Sequence, residues 1–176
     1  MAESQYYIGQ IFTDMYPPEA AEWCNSRGDC FIVEIESEGD KRRFQIIANP
    51  EPSLEEVRAS KLAELSSKFE DASLAAHCLS SLGFFIDANP TSERDITGVL
   101  VVMDDESTTK FCDYYNEFHE VTKAQMQTIQ REIILNGQHL YTQKWTYRDA
   151  INQASTIAEI EAITIEFKNR DFASEA

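Results

Sequence analysis

The sequence has little positive charge. It contains 15 Lys and Arg residues against 31 Asp and Glu residues, which gives a formal net charge of -16 over 176 residues. A surface of this kind repels nucleic-acid backbones and anionic membranes over most of its area. The one basic cluster, Lys41-Arg42-Arg43, follows a Gly-Asp turn signal and indicates a solvated hairpin end. We therefore expect no nucleic-acid partner, whereas a basic partner protein or a crowded assembly is compatible with the charge.

Long apolar runs are also missing. No segment approaches the roughly 20 uninterrupted apolar residues of a membrane-spanning helix. The N-terminal stretch MAESQYYIGQIFTDM has no positive region followed by an apolar segment, as a signal peptide would have. We expect neither a signal peptide nor membrane insertion.

The common cofactor and metal motifs do not occur. Neither GxGxxG nor GxxxxGK[ST] is present, nor is an HExxH helix, and the three histidines and four cysteines match no zinc-finger spacing. The acidic run Asp104-Asp105-Glu106 lacks the alternation of an EF-hand loop and is typical of a solvated turn. The sequence therefore predicts no cofactor and no metal ion.

The four cysteines fit no CxxC spacing and predict free thiols; they are Cys24, Cys30, Cys78 and Cys112. Cys24 and Cys30 could meet across a turn. Cys112 and His119 are the only thiol and imidazole within one short element, FCDYYNEFHEVT, so a small thiol hydrolase is one functional hypothesis. The two residues have opposite parity around the Asn116-Glu117 tip of a predicted hairpin, which disfavours that dyad. We assign no catalytic residue.

Residues 1–49 predict a small β-α-β-β module. Residues 5–12 are typical of a strand. The segment YPPEAAEWCNSRGD predicts a short helix that is entered through Pro17 and Pro18. The segments CFIVEIES and RRFQIIAN together predict a hairpin. The following Asn49-Pro50-Glu51-Pro52 predicts a stiff, extended boundary.

Residues 50–167 predict a mostly helical domain with a β-hairpin, so the fold class is α+β. Capping-box spacings at Ser53, Thr122 and Thr156 mark three helix starts. The first helix should run to about Ser80 with one apolar stripe, packing on a core or, alternatively, in a coiled coil that would imply an oligomer. A further helix over Asp95–Met103, capped by Thr91 or Ser92, is favoured over a strand.

The helix that starts at Thr122 is either one long helix or two helices broken near Asn136-Gly137, where a kink or a close helix crossing is possible. His77 and Cys78, near the end of the first helix, should diverge too far to share a metal. Residues 168–176 form a tail, and ITIEFKNRDFASEA predicts an edge strand that frays.

Aromatic residues are concentrated in the hairpin and the long helix: Phe111, Tyr114, Tyr115, Phe118, Tyr141, Trp145 and Tyr147. The main interpretation is a core cluster between these two elements. The alternative is an exposed platform for a partner or a glycan, because aromatics also dominate interface hot spots. The candidate partner-interface residues are Trp23, Tyr114 and Phe118.

Four segments follow one another in a recognisable order: SLEEVRASKLAEL, GFFIDANPTSERDITGVL, the aromatic hairpin before FHEVTKAQMQTI, and QKWTYRDAINQASTIAEIEAI. This pattern, from about Ser53 to Phe167, resembles a domain family of unknown function found in tail-region proteins of tailed bacteriophages and prophages. YPPEAAEWCN with RRFQIIANPEPS is similar to short N-terminal modules of tail-fibre-related phage proteins. The resemblance implies no enzymatic activity, and it implies structural roles for Trp145 as a core anchor and Asn116 as a turn former.

These observations together predict a non-enzymatic tail fibre or baseplate component that acts through contacts with other phage tail proteins. It would be made in the host cytoplasm, join the virion tail, and form a homo-oligomer or a hetero-complex. A tail-fibre assembly chaperone that is absent from the mature particle is the first alternative, and the Cys112/His119 hydrolase is the second. A host-directed inhibitor that mimics nucleic acid is disfavoured, because the acids are spread along the whole chain.

Overall fold

A computed structural model describes residues 5–175, so residues 1–4 of the predicted first module and residue 176 of the predicted tail lie outside the described part. The chain divides into two compact units, Met1–Pro52 and Ser53–Ala176. The division falls at the end of the Asn-Pro-Glu-Pro segment, where each residue before a proline is held out of the helical region. The predicted α+β fold class is confirmed.

The first unit pairs its described strands into one antiparallel sheet beside a helix. Its elements are β1 (Ile11–Thr13), α1 (Pro18–Arg27), β2 (Cys30–Glu38) and β3 (Lys41–Ala48), with sheet order β1-β3-β2. The helix and the β2-β3 hairpin are confirmed. The strand predicted over residues 5–12 is wrong in its first part, because the backbone turns at Ile8 and Gly9 before pairing with β3 begins.

Apolar side chains between α1 and the sheet form the core of this unit. Cys24, Cys30 and Ile46 are buried, and Tyr6, Phe12, Trp23 and Ile32 pack against them. Both cysteines are free thiols, as predicted. Lys41 and Arg42 lie at the exposed hairpin end, where each pairs with an acid of the same unit, Asp14 and Glu34 respectively.

The second unit combines helices with two short antiparallel hairpins. In chain order its elements are α2 (Leu54–Leu74), β4 (His77–Leu79), β5 (Phe85–Asp87), α3 (Pro90–Val102), β6 (Thr108–Cys112), β7 (Phe118–Thr122), α4 (Lys123–Gln153) and α5 (Ile157–Glu161). Strand β4 pairs with β5, and β6 pairs with β7. Helices α2 and α3 both pack on α4, and α5 packs on α2.

All three predicted capping boxes are present. In each one the N-cap hydroxyl accepts a hydrogen bond from the third helical N–H, and the side chain at that third position bonds back to the N-cap backbone. The pairs are Ser53 with Glu56, Thr122 with Gln125, and Thr156 with Glu159. Helix α3 differs, because Asn89 is its cap: the Asn89 amide oxygen accepts from the N–H groups of Thr91 and Ser92 at 3.0 Å each, so neither of those residues caps.

Helix α2 is shorter than predicted. It ends at Leu74, and His77–Leu79 leave the helix to pair with Phe85–Asp87. The helix prediction rested on an apolar stripe in the sequence that continues through Ala76 and Leu79. In the structure Ala76 and Cys78 are indeed buried, but they are buried as parts of an extended segment. His77 and Cys78 therefore point to opposite faces of a strand, and the helix predicted as far as Ser80 is wrong.

Helix α4 is continuous over Lys123–Gln153, so the break near Asn136-Gly137 does not occur. A Cβ atom built at Gly137 would meet nothing within 4 Å, which also excludes a close helix crossing at this residue. Gly137 borders a cleft of about 360 Å³ that is also lined by Phe69 and Tyr141. The glycine thus sits in an ordinary helical turn with room beside it.

The segment after α5 is not a fraying edge strand. Most of it is irregular, yet Ile165 and Phe172 are buried, and the Phe172 N–H donates to the carbonyl of Leu79 at 2.9 Å. We call residues 163–172 the C-terminal strap. Side chains of α4 hold most of its bonded backbone groups, and Asp171 forms one parallel bridge with Leu79 of β4.

Four polar side chains on one face of α4 bind other segments. Gln143 pairs with the Lys168 backbone through two hydrogen bonds of 2.8 and 2.9 Å, and the Tyr147 hydroxyl donates to the Glu166 carbonyl at 2.8 Å. Two buried residues, Asn136 and Glu132, complete this row.

The buried pair on α4 is fully engaged. The Asn136 side chain accepts from the Arg170 N–H at 2.8 Å and donates to the side-chain oxygen of Asn169 at 2.9 Å. The Glu132 carboxylate accepts from the Ser80 and Ser81 hydroxyls at 2.6 Å each and thereby holds the β4-β5 turn. Buried polar groups need such partners, because burial without them costs free energy.

The apolar core of the second unit centres on α4. Its larger cluster includes Phe69, Ile86, Ile96, Val121, Met126, Ile129, Ile133, Leu140 and Phe172, and a smaller one contains Leu65, Ile151 and Ile165. Among residues 5–175, none of the helices combines the length and apolar character that crossing a bilayer requires.

Gly137→Ala should raise the free energy of unfolding by about 0.5–1 kcal/mol, because alanine removes backbone freedom from the unfolded chain and fits a helical position with open space. Gly83→Ala is the matched control. Its φ of 90° is strained for a residue with a Cβ, so that variant should lose about 1–2 kcal/mol. Urea unfolding of both proteins measures the two changes, and destabilisation by Gly137→Ala would contradict the open environment.

Candidate functional site

The tip of the β6-β7 hairpin gathers the residues singled out in the sequence. Cys112 pairs with Phe118 and Phe111 with His119, so residues 113–117 form the tip. Asn116 has a φ of 65°, a left-handed conformation that asparagine tolerates better than most residues. Its predicted role as a turn former is confirmed.

A buried carboxylate closes the tip. One side-chain oxygen of Asp113, Oδ1, accepts from the N–H groups of Tyr115 and Glu117 at 2.9 and 2.8 Å. The other, Oδ2, lies 2.9 Å from Nε2 of His119 across the hairpin. These contacts hold the pKa of Asp113 below its ordinary value; the hydrogen bond from His119 is the largest cause, and the two backbone N–H groups add to it.

A stacking contact also holds the imidazole of His119 in place. Its ring stacks on Phe84 with 3.9 Å between the ring centroids and 8° between the planes. Phe84 belongs to the turn between β4 and β5 and also packs against Phe111. One face of the β6-β7 hairpin is therefore locked against the β4-β5 hairpin.

Two tip tyrosines extend this contact. Tyr114 stacks on His77 at 4.4 Å, and its N–H donates to the Phe85 carbonyl at 3.0 Å. Tyr115 meets Phe85 edge-on at 5.6 Å. The predicted cluster of the hairpin aromatics with those of α4 is therefore wrong. Tyr114 and Tyr115 pack against β4 and β5 instead, because these two strands pair into a hairpin that lies against the tip.

The outer surface of the tip stays apolar and uncovered. Phe118 is 71% exposed, Tyr115 63% and Tyr114 39%. These three residues form what we call the tip surface. Their backbone and partly their rings are anchored by the contacts described above, so the exposed area is held in a defined shape.

The aromatics of α4 form a separate group. Tyr141 and Trp145 are 49% and 51% exposed and line a cleft of about 420 Å³ with Gln138 and Thr142. Trp145 is therefore not a core anchor, which corrects the role implied by the resemblance. Tyr147, two residues later, is the residue of this group that holds the C-terminal strap.

Trp23, the third candidate interface residue, belongs to the first unit. It packs against Tyr6 with ring centroids 6.2 Å apart, and the Arg27 guanidinium lies 4.9 Å from its ring centroid. Its indole is half-buried at the margin of that unit's core.

The Cys112 thiol and the His119 imidazole lie on opposite faces of the hairpin. His119 shares its face with its cross-strand partner Phe111, whereas Cys112 shares the other face with Phe118. The Nε2 atom of His119 is directed to Asp113, not to a thiol. The geometry therefore gives Cys112 no base within this hairpin.

Sequence reasoning missed the convergence at the tip. Asp113, Glu117 and His119 offer ligand atoms that lie within 4.8 Å of one another. Strand alternation does not predict this convergence, because Asp113 and Glu117 belong to the turn and not to a strand. The signal that the sequence does contain is an Asp, a turn-forming Asn and a His spaced around one predicted tight turn.

Most of the second unit matches a known family. A family model described as "Domain of unknown function (DUF4376)" matches residues 56–166. That range lies inside the region from Ser53 to Phe167 that carries the resemblance described above. No curated protein and no solved structure shows significant similarity to the chain.

Asp113→Asn should lower the melting temperature at neutral pH, because the folded state holds the Asp113 pKa below the ordinary 3.8 and so favours the charged carboxylate. The stabilisation is fully present above the ordinary pKa and is lost as the pH falls through the lowered pKa. The difference in melting temperature between variant and wild type should therefore shrink between pH 7 and pH 3.

Asp105→Asn is the control for that experiment. The Asp105 carboxylate also has a lowered pKa from its contact with Lys123, but it is fully exposed, and such surface pairs add little stability. A loss at neutral pH that is equal in the two variants would contradict the role of Asp113 in closing the tip.

Thiol labelling should distinguish the cysteines. Cys112 is exposed, whereas Cys24, Cys30 and Cys78 are buried. Burial raises the pKa of Cys30 to about 11 and that of Cys78 to about 12, so little reactive thiolate forms there at neutral pH. Iodoacetamide at pH 7.5 should modify Cys112 alone in the native protein and all four thiols in urea, as read by peptide mass spectrometry. Equal labelling of a buried thiol in the native protein would contradict this packing.

Proposed function

The chain belongs to the DUF4376 family of domains of unknown function, and we propose that it is a non-enzymatic structural protein of a bacteriophage tail that works through protein–protein contacts. The tail setting rests on the resemblance of the four ordered segments between Ser53 and Phe167 to tail-region phage proteins. The protein would be made in the host cytoplasm and join the fibre or baseplate region of the virion. Its partners would be other tail proteins.

The observation that carries this proposal is the tip surface. Phe118 and Tyr115 expose most of their side chains, while Asp113, Asn116 and the β4-β5 hairpin hold the backbone beneath them. Exposed aromatics on a rigid support bind at low entropic cost, and aromatic residues dominate interface hot spots. The strong negative charge of the chain would oppose contacts with acidic proteins.

The geometry gives an enzymatic alternative little support. A thiol hydrolase needs a base within hydrogen-bond reach of the nucleophile, and the strand register places Cys112 and His119 on opposite faces. The His119 Nε2 atom is also occupied by Asp113. We therefore propose a binding role for the hairpin and not a catalytic one.

The remaining rival is an assembly chaperone that binds the fibre protein and leaves before maturation. It would use the same tip surface, so contact geometry alone does not separate the two functions. The presence of the protein in finished particles does separate them, because a structural component is retained in a fixed number of copies.

Quantitative mass spectrometry of purified particles tests the proposal. Wild-type particles should contain a fixed copy number, and Phe118→Ser should reduce it about tenfold or more, because an aromatic hot spot is worth about 2 kcal/mol or more. Leu74→Ser is the matched control: Leu74 is also a large apolar residue, 63% exposed, but it lies at the end of α2. That variant should be incorporated like the wild type.

Two outcomes would count against the proposal. Absence of the wild-type protein from particles would exclude a structural component, and its recovery with unassembled fibre protein would favour the chaperone. Normal incorporation of Phe118→Ser would remove the tip surface as the point of contact. Thermal unfolding of each variant verifies that altered incorporation does not come from misfolding.

A further inference from the structure

The tip of the β6-β7 hairpin also brings three metal-ligating side chains together. Asp113, Glu117 and His119 each offer a ligand atom, and these atoms all lie within 4.8 Å of one another. We propose that this trio binds a divalent transition-metal ion, with Zn²⁺ as the reference ion. This inference is independent of the proposed tail function, since it rests only on the geometry of the hairpin tip.

The spacing of the two inner ligands suits coordination. Ligand atoms bonded at about 2.1 Å to one metal ion, at angles of about 90–110°, lie roughly 3.0–3.4 Å apart. The observed distance from Asp113 Oδ2 to His119 Nε2 is 2.9 Å. An ion can therefore take the place of the proton between these atoms with a small separation of the two side chains, and the neutral imidazole then carries its proton on Nδ1.

Both inner ligands are already oriented. The Asp113 Oδ1 atom is engaged by the N–H groups of Tyr115 and Glu117, which leaves Oδ2 facing His119. The His119 ring is held by its stacking on Phe84. Outer contacts of this kind position metal ligands and strengthen binding.

The third ligand is free to move. Glu117 is exposed, and within the described chain its carboxylate makes no hydrogen bond or ion pair. It projects from the same turn as Asp113 and can rotate toward the other two ligand atoms at little cost. One imidazole and two carboxylates form a donor set that suits Zn²⁺ or Mn²⁺ better than soft ions such as Cu⁺.

A bound ion would join the turn of the hairpin to β7. Asp113 and Glu117 lie in the turn and His119 in β7, and the tip surface of Tyr114, Tyr115 and Phe118 lies among them. The ion would therefore stiffen that surface. The competing interpretation is that the Asp113–His119 hydrogen bond alone closes the hairpin. That interpretation assigns no role to the Glu117 carboxylate.

Glu117→Gln is the decisive variant, because it removes one ligand and leaves every hydrogen bond of the tip backbone in place. Glu106→Gln is the matched control, since Glu106 is an exposed acid in another turn. Cys112→Ser removes the exposed thiol, which is the other zinc-binding group nearby. Untagged proteins, stripped with EDTA and dialysed, are titrated with ZnCl₂ by calorimetry, and circular dichroism verifies their fold.

The wild type, Glu106→Gln and Cys112→Ser should each bind one Zn²⁺ per chain at this site, and Glu117→Gln should bind it at least about tenfold more weakly. NMR signals of the His119 ring should shift on addition of Zn²⁺ in the wild type. The proposal is overturned if the wild type binds no Zn²⁺, if Glu117→Gln binds it as the wild type does, or if binding disappears in Cys112→Ser.

Discussion

The second unit depends on one helix that must serve both an apolar core and a set of polar partners. Helix α4 buries Ile129, Ile133 and Leu140, yet it also buries Glu132 and Asn136. Both polar residues are satisfied by segments without regular structure, the β4-β5 turn and the C-terminal strap. These bonds compensate for burying polar groups, and they fix where each irregular segment lies. Both the β4-β5 turn and the strap are therefore positioned by side chains of α4.

The sequence predicts those features of this fold whose causes are local. A capping box involves residues three positions apart, so Ser53, Thr122 and Thr156 could be identified as helix starts without knowledge of the rest of the chain. The end of α2 is different, because His77–Leu79 become extended by pairing with Phe85–Asp87, and that pairing competes with a helical stripe that also fits. The position of the strap is harder still to predict. Its partners on one face of α4 lie 19 to 34 residues away in the sequence.

The same distinction applies to the hairpin tip. The turn at Asn116 follows from the preference of asparagine for turns, and the opposite faces of Cys112 and His119 follow from strand alternation; both are observed. The hydrogen bond from His119 to Asp113 does not follow from alternation, because Asp113 has left the strand. Likewise, the exposure of Phe118 and Trp145 depends on what packs nearby, which composition alone cannot specify. Aromatic content indicated an important region, but only the tertiary contacts divide it into a buried side and an exposed side.

The C-terminal strap also sets an order of events during synthesis. The ribosome makes the core-forming residues of α2, α3 and α4 before residues 163–172, and Ile165 and Phe172 cover parts of that core only afterwards. Until the strap emerges, the polar row from Asn136 to Tyr147 lacks its backbone partners, and apolar surface near Leu65 and Phe69 is open to solvent. The faces of α2 and α4 that the strap covers in the folded domain therefore stay exposed until the strap has been made and has docked.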